Sequence, residues 1–191
     1  MYSLFINTLS TPAFICLFDD ERNILDSISW QGKHAEFDTL IESIDMLLLR
    51  NSLDYYHLSG ILCLVGPGGF TGIRVTTLVA NTLGYSFNIP LYPVTVNALF
   101  EWQNSPTPWI LPLTKTEVLL WENTLQIVPT IVKITSLEAY NAGQPTPLLP
   151  ETIPYMQPDD YQTFLKNFTF PEKVSLLRPV YARDPNISIR K

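Results

Sequence analysis

The chain has 191 residues, 46% of them hydrophobic and only 16% charged, with a net charge of −6. A chain of this length buries roughly 70% of the surface its unfolded form exposes, so it folds without disulfides or metal, as one domain or as two small lobes on a shared core. The low charge argues against disorder, and the acidic balance argues against a nucleic-acid grip spread over the whole surface, because such grips need clustered positive charge.

Tyr2 to Thr8 reads as a strand, Asn7 to Pro12 as a polar turn, Ala13 to Phe18 as a second strand and Ile24 to Trp30 as a third. The acidic turn Asp19-Asp20-Glu21 joins the last two, and three short strands with tight connections predict an antiparallel meander. A helix is expected over 34–50, because Phe37, Leu40, Ile41, Ile44, Leu47 and Leu48 recur at helical spacing. Gly60 to Val65 is a continuous apolar run, as suits a strand buried on both faces. Gly66-Pro67-Gly68-Gly69 is a sharp loop, followed by a helix from Thr71 to Phe87 with Thr71 at the N-cap and a strand from Ile89 to Val94. Strand, helix and strand in that order predict a parallel crossover.

Beyond about residue 95 prolines thicken and the pattern weakens. Short strands are expected at 109–113, 117–121 and 125–133, and short helices at 136–141 and 159–167. Pro145 to Pro158 reads as an extended wrap. The expected organisation is a first lobe over 1–95 and a smaller, proline-rich second lobe with its tail over 96–191. That tail holds the basic cluster Arg178, Arg183, Arg190 and Lys191.

Cys16 and Cys63 sit inside apolar runs and read as buried free thiols, with no His nearby to complete a metal site. His34 and His57 fall in polar connectors, and the acids at 19–21 read as a solvated turn. No run approaches the roughly 20 apolar residues of a membrane span. The opening MYSLFINTLS lacks a basic region followed by an apolar one, so a cytoplasmic protein is expected.

Two helices carry more apolar surface than a sheet would cover. In the second, Arg74 is the only charged residue, and Arg74, Thr77, Asn81 and Gly84 make one narrow polar stripe on the helical wheel. In the first, Ala35, Thr39, Glu42, Met46 and Leu49 form a second line at heptad spacing, such as packs against another helix. Ala35, Thr39, Glu42, Met46, Leu49, Arg74, Leu78 and Tyr85 are therefore the expected partner surface.

The most specific feature is the loop Gly66, Pro67, Gly68, Gly69, Phe70, Thr71, Gly72, Ile73, Arg74. A glycine-rich turn leading into a helix can receive a phosphate on unpaired amides, or it can simply be a tight strand-to-helix turn. It is neither a P-loop, which ends in Gly-Lys-Ser/Thr, nor a dinucleotide fingerprint, which would need glycine at Thr71.

GPGGFTGIR resembles the GPGSFTGLR loop of the TsaB (YeaZ) family, the bacterial tRNA threonylcarbamoyladenosine biosynthesis protein B. Four further motifs follow in the family's order: INTLSTPA from Ile6 to Ala13, His34-Ala35-Glu36 with the leucines after it, Ile89-Pro90-Leu91 with the Thr95 to Leu99 helix start, and Pro179-Val180-Tyr181-Ala182-Arg183. The resemblance implies an α/β fold of the actin, Hsp70 and sugar-kinase (ASKHA) superfamily, with a mixed sheet, a β-meander, crossover helices and a reduced second lobe. It implies a non-catalytic scaffold or activator subunit that pairs with the catalytic TsaD, which modifies adenosine 37 of tRNA, and that works with the ATPase TsaE. On this reading ATP and magnesium are bound by the partners, tRNA is met only indirectly, and a homodimer forms when the chain is alone.

Departures from the superfamily's pattern point the same way. Its active members need a carboxylate at the end of the first strand, where this chain has Asn7. The Asp-Ala-Arg that the TsaB (YeaZ) family carries after the second-lobe strand is missing, since Pro112-Leu113-Thr114-Lys115 runs into Glu117-Val118. The alternative is an autonomous small kinase or hydrolase of the same superfamily, with the glycine loop as its phosphate site. A peptidase would need a nucleophile, base and orienter, and none is identifiable.

Overall fold

A computed structural model describes residues 1–10, 12–30, 36–103, 108–114, 116–126, 128–133 and 158–182. Strands β1 (Tyr2–Asn7), β2 (Ala13–Asp19) and β3 (Ile24–Trp30) form the antiparallel meander. β4 (Leu58–Leu64) pairs parallel with β1, and β5 (Leu91–Val94) pairs parallel with β4, giving a mixed sheet in the order β3-β2-β1-β4-β5. The crossover between β4 and β5 is α2 (Phe70–Phe87), and α1 (Glu36–Arg50) joins the meander to β4.

Strict alternation along the strands gives the sheet two apolar faces. Leu4, Ile6, Ile15, Leu17, Ile61, Cys63 and Leu91 turn to one side, where Leu40, Ile44, Leu47 and Leu48 of α1 and Val79, Ala80 and Leu83 of α2 cover them. Phe5, Phe14, Cys16, Phe18, Leu62, Leu64 and Val94 turn to the other. The two cysteines thus lie on opposite faces, both fully buried, and burial pushes both thiols well above the usual range.

The second face is covered by the later half of the chain. α3 (Val96–Trp102) starts at Thr95, whose hydroxyl accepts from the Ala98 amide. A three-stranded antiparallel sheet follows, from β6 (Trp109–Thr114), β7 (Glu117–Trp121) and β8 (Thr130–Lys133). α4 (Pro158–Asn167) then places Tyr161, Phe164 and Leu165 against Phe5 and Phe14. Burying one such side chain contributes about 1.5–3 kcal/mol, so α4 is a principal anchor of this core. Arg22, at φ 63, fixes its far end by donating to the carbonyls of Leu165 and Phe168, with its guanidinium 4.4 Å from the Phe170 ring. Gln162 pairs with the same hairpin, accepting from the Ile24 amide and donating to the Arg22 carbonyl.

Three expectations change. The second helix begins at Phe70, and its N-cap is Gly69 without a side-chain bond; Thr71 lies inside the first turn. The polar stripe on that helix does not face solvent as a unit, because Thr77 and Gly84 are buried. Thr77 folds its hydroxyl back onto the Ile73 carbonyl, and Gly84 is small enough for Leu91 to pack within about van der Waals contact of its backbone. The strand expected at 125–133 is confined to β8; Asn123 to Gln126 form a turn closed by the Asn123 and Gln126 side chains. The helix expected at 136–141 and most of the wrap from 145 lie outside the described residues, as do His34, Ala35, Arg183, Arg190 and Lys191.

Candidate functional site

At the carboxyl end of β1, Asn7 is fully buried. Its side-chain oxygen accepts from the amides of Leu9 and Ser10, at 3.0 and 3.2 Å, which closes the turn after the strand. Its amide nitrogen donates to the Tyr161 hydroxyl at 2.9 Å. Tyr161 stacks on Phe14 with centroids 3.9 Å apart, and burial pushes its phenol up to about 12 despite hydrogen bonds to Ser10 and Asn7 that pull it down. Ser10 in turn donates to the Pro12 carbonyl. Every polar atom of Asn7 is therefore committed inside the protein, and the space in front of it is filled by an aromatic ring. This end of the sheet does not fit the metal-bound nucleotide that the kinase or hydrolase alternative would need: the donor set is an enclosed amide and a high-pKa phenol. Among the described residues no three His, Cys, Asp or Glu side chains converge on one point.

The glycine loop follows β4. Gly66 takes φ 109, a backbone region that L side chains rarely adopt, and its carbonyl accepts from the Val96 amide. Beside it, Val65 pairs with Val94 on one side and with Val180 on the other, through backbone bonds of 2.8 Å each. Gly66 and Pro67 are buried, Gly68 packs on Leu9, and the loop exposes Gly69, Phe70 and Thr71 at its tip. Gly72 is buried in the first turn of α2, and Arg74 is exposed one turn on. The Phe70 ring contacts both the Arg74 guanidinium and the Tyr181 ring, each 5.0 Å from its centroid.

The segment marked in the sequence by its Pro-Val-Tyr-Ala-Arg motif and by Arg178 of the basic tail returns along this region. Val174 bridges to Leu91 at the free edge of β5. Leu177 is buried in the core beneath α2, and Asn81 holds it by accepting from its amide at 2.7 Å and donating to its carbonyl at 3.0 Å. Val180 then reaches the glycine loop. Part of the surplus apolar surface of α2 is therefore covered from within the chain. Asn81, on the polar stripe of α2, was the available signal.

The remainder stays uncovered. α1 and α2 pack against each other on one sheet face. On their outer side Met46 is 51% exposed, Leu49 78%, Leu78 58% and Tyr85 93%. Glu42 and Arg74 are exposed beside them, and Thr39 is half-buried.

Residues 32–114, which span both helices and the loop, match the family model of TsaD, tRNA N6-adenosine threonylcarbamoyltransferase. No curated protein matches the chain. Among solved structures, YeaZ from Pseudomonas aeruginosa aligns with a TM-score of 0.54 at 16% identity, over 70% of this chain and 67% of that one. A protein described as uncharacterized, with similarity to peptidase YeaZ from Pseudomonas aeruginosa, aligns with a TM-score of 0.56 at 16% identity, over 69% and 66%. The chain thus spans about two thirds of the length of each. At that identity the likeness is one of fold, and the mixed sheet, meander and crossover helix are ASKHA-like as expected. In its architecture, therefore, the chain is a YeaZ (TsaB)-like protein.

Proposed function

We propose that the chain is a non-catalytic accessory subunit of a tRNA N6-threonylcarbamoyladenosine assembly, docking on a TsaD-type catalytic subunit through the outer side of α1 and α2. The observation that carries this reading is the set of large apolar side chains exposed on that helix pair, Met46, Leu49, Leu78 and Tyr85. Soluble proteins seldom leave such a face to water, and a stable interface of this kind buries on the order of 1,600 Å². The TsaD-family match over the same stretch and the YeaZ-like fold support the choice of partner.

The non-catalytic role is supported by Asn7, whose polar atoms are already committed within the core. Nucleotide, magnesium and the chemistry on tRNA then belong to the TsaD-type subunit and a TsaE-type ATPase, in the cytoplasm. When the partner is absent, the same face closes a homodimer. The test is Met46→Glu with Leu49→Glu, both outside the core. The variant is expected to melt like the parent and to lose at least about tenfold in affinity for the TsaD-type subunit. A variant that unfolds on its own, or that binds like the parent, overturns the reading.

A further inference from the structure

Between α2 and the returning segment runs a groove lined by Arg74, Leu78 and Asn81 on one side and by Leu177, Pro179 and Tyr181 on the other. It opens beside the helix face just described. Leu78, Leu177, Pro179 and Tyr181 give it apolar surface, Thr77 and Asn81 add polar groups along the helix, and Arg74 stands at one end. There Arg74 is exposed, and it is the only charged residue of α2. Its guanidinium carbon lies over the Phe70 ring, 5.0 Å from the centroid. Among the described residues no carboxylate lies within ion-pair distance of Arg74. An exposed guanidinium presents a planar fork of N–H donors, which is suited to a carboxylate that meets two of them at once.

We infer that this groove takes an acidic residue of the TsaD-type partner, with its carboxylate on Arg74 and an adjoining apolar side chain against Leu78, Pro179 and Tyr181. The inference rests on the reading above and adds the chemistry of recognition to it. Charge complementarity selects the occupant, because apolar side chains beside a cation that has no carboxylate near it among the described residues match an apolar side chain next to an anion. Asn81 is a positioning residue here. Its two hydrogen bonds to the Leu177 backbone hold the second wall in place. The interface is thereby composite, and its selectivity depends on a segment almost a hundred residues away from the helix in sequence.

The experiment measures affinity for the purified TsaD-type subunit at low and high salt, with full-length Arg74→Glu, Arg74→Lys, Arg74→Gln and Asn81→Ala. Arg74→Glu is expected to bind roughly 30-fold more weakly, and Arg74→Lys to keep part of the affinity because it keeps the charge but not the fork. The parent is expected to lose affinity as salt rises, and Arg74→Gln to lose much less. Asn81→Ala is expected to weaken binding while raising amide exchange at Leu177, a readout that does not depend on the partner. If Arg74→Glu binds like the parent while Met46→Glu with Leu49→Glu does not, the groove assignment is wrong and the docking face stands. If the parent chain does not bind the TsaD-type subunit at all, the docking reading itself fails. If Arg74→Glu leaves protein binding intact and lowers affinity for tRNA, the groove is an RNA contact and the inference is overturned.

Discussion

Replacing Gly66 by alanine probes the junction on which the loop, the sheet and the returning segment all converge. A Cβ on Gly66 would lie 2.5 Å from the Val180 carbonyl oxygen and 2.9 Å from the Ile73 Cδ1. The methyl of Ile73 can rotate aside, but the carbonyl is backbone and can retreat only if the segment around Val180 moves. That movement breaks the Val180–Val65 hydrogen bond, which is worth about 1 kcal/mol. The φ of 109 adds a conformational cost of about 1–3 kcal/mol for a residue with a side chain. Together these destabilise the fold by about 2–4 kcal/mol, a large share of the 5–15 kcal/mol typical of a domain. Equilibrium urea unfolding should show a lower midpoint at unchanged slope, and exchange at the Val180 amide should rise. Gly69→Ala is the control, since a Cβ there meets nothing within 4 Å, and its cost should stay within about 1 kcal/mol. A loss below about 1 kcal/mol for Gly66→Ala, with the Val180 amide as protected as in the parent, would refute the reasoning.

Tyr161→Phe keeps the ring stack on Phe14 but leaves the buried Asn7 amide nitrogen without its acceptor, so urea unfolding should show a loss of about 1–3 kcal/mol; no loss would mean that Asn7 is satisfied by another route. Both thiols should be silent to a thiol reagent in the native state and react together only on unfolding, because each is fully buried with its pKa raised. Rapid labelling of Cys16 or Cys63 in the folded protein would contradict the placement of β2 or β4.

Much of the first sheet is legible from local pattern. Short apolar strands such as Ala13–Asp19, buried along all but the last residue, and the tight turns between them need no distant information. The same holds for the core face of α1, where Leu40, Ile44, Leu47 and Leu48 are buried as their spacing predicts. The helix cap was misread because Thr71 is the better N-cap by side chain, whereas the loop's path makes the bend at Gly69. The polar stripe of α2 was misread because a threonine can satisfy its hydroxyl on its own helix and then be buried, as Thr77 does. What local pattern does not carry is pairing across the chain. That Asn81 serves Leu177, or that Asn7 serves Tyr161, depends on how the later half folds over the earlier one. For the candidate site the loop was legible as a turn, while its closure by Val180 was not.

The returning segment also has a consequence for synthesis. Leu177 completes the core between α2 and the sheet, and Val174 and Val180 cover the open side of β5 and the end of β4. These contacts join residues made late to elements made roughly eighty to more than a hundred residues earlier. At the usual pace of elongation, about 5–20 residues per second, the early sheet waits several seconds with an edge strand and an apolar helix flank bare. Sites of such long sequence separation form late and slowly. The nascent chain is thus most exposed to misassociation between the completion of β5 and the arrival of Leu177, and a chain stopped before that residue keeps the hazard permanently.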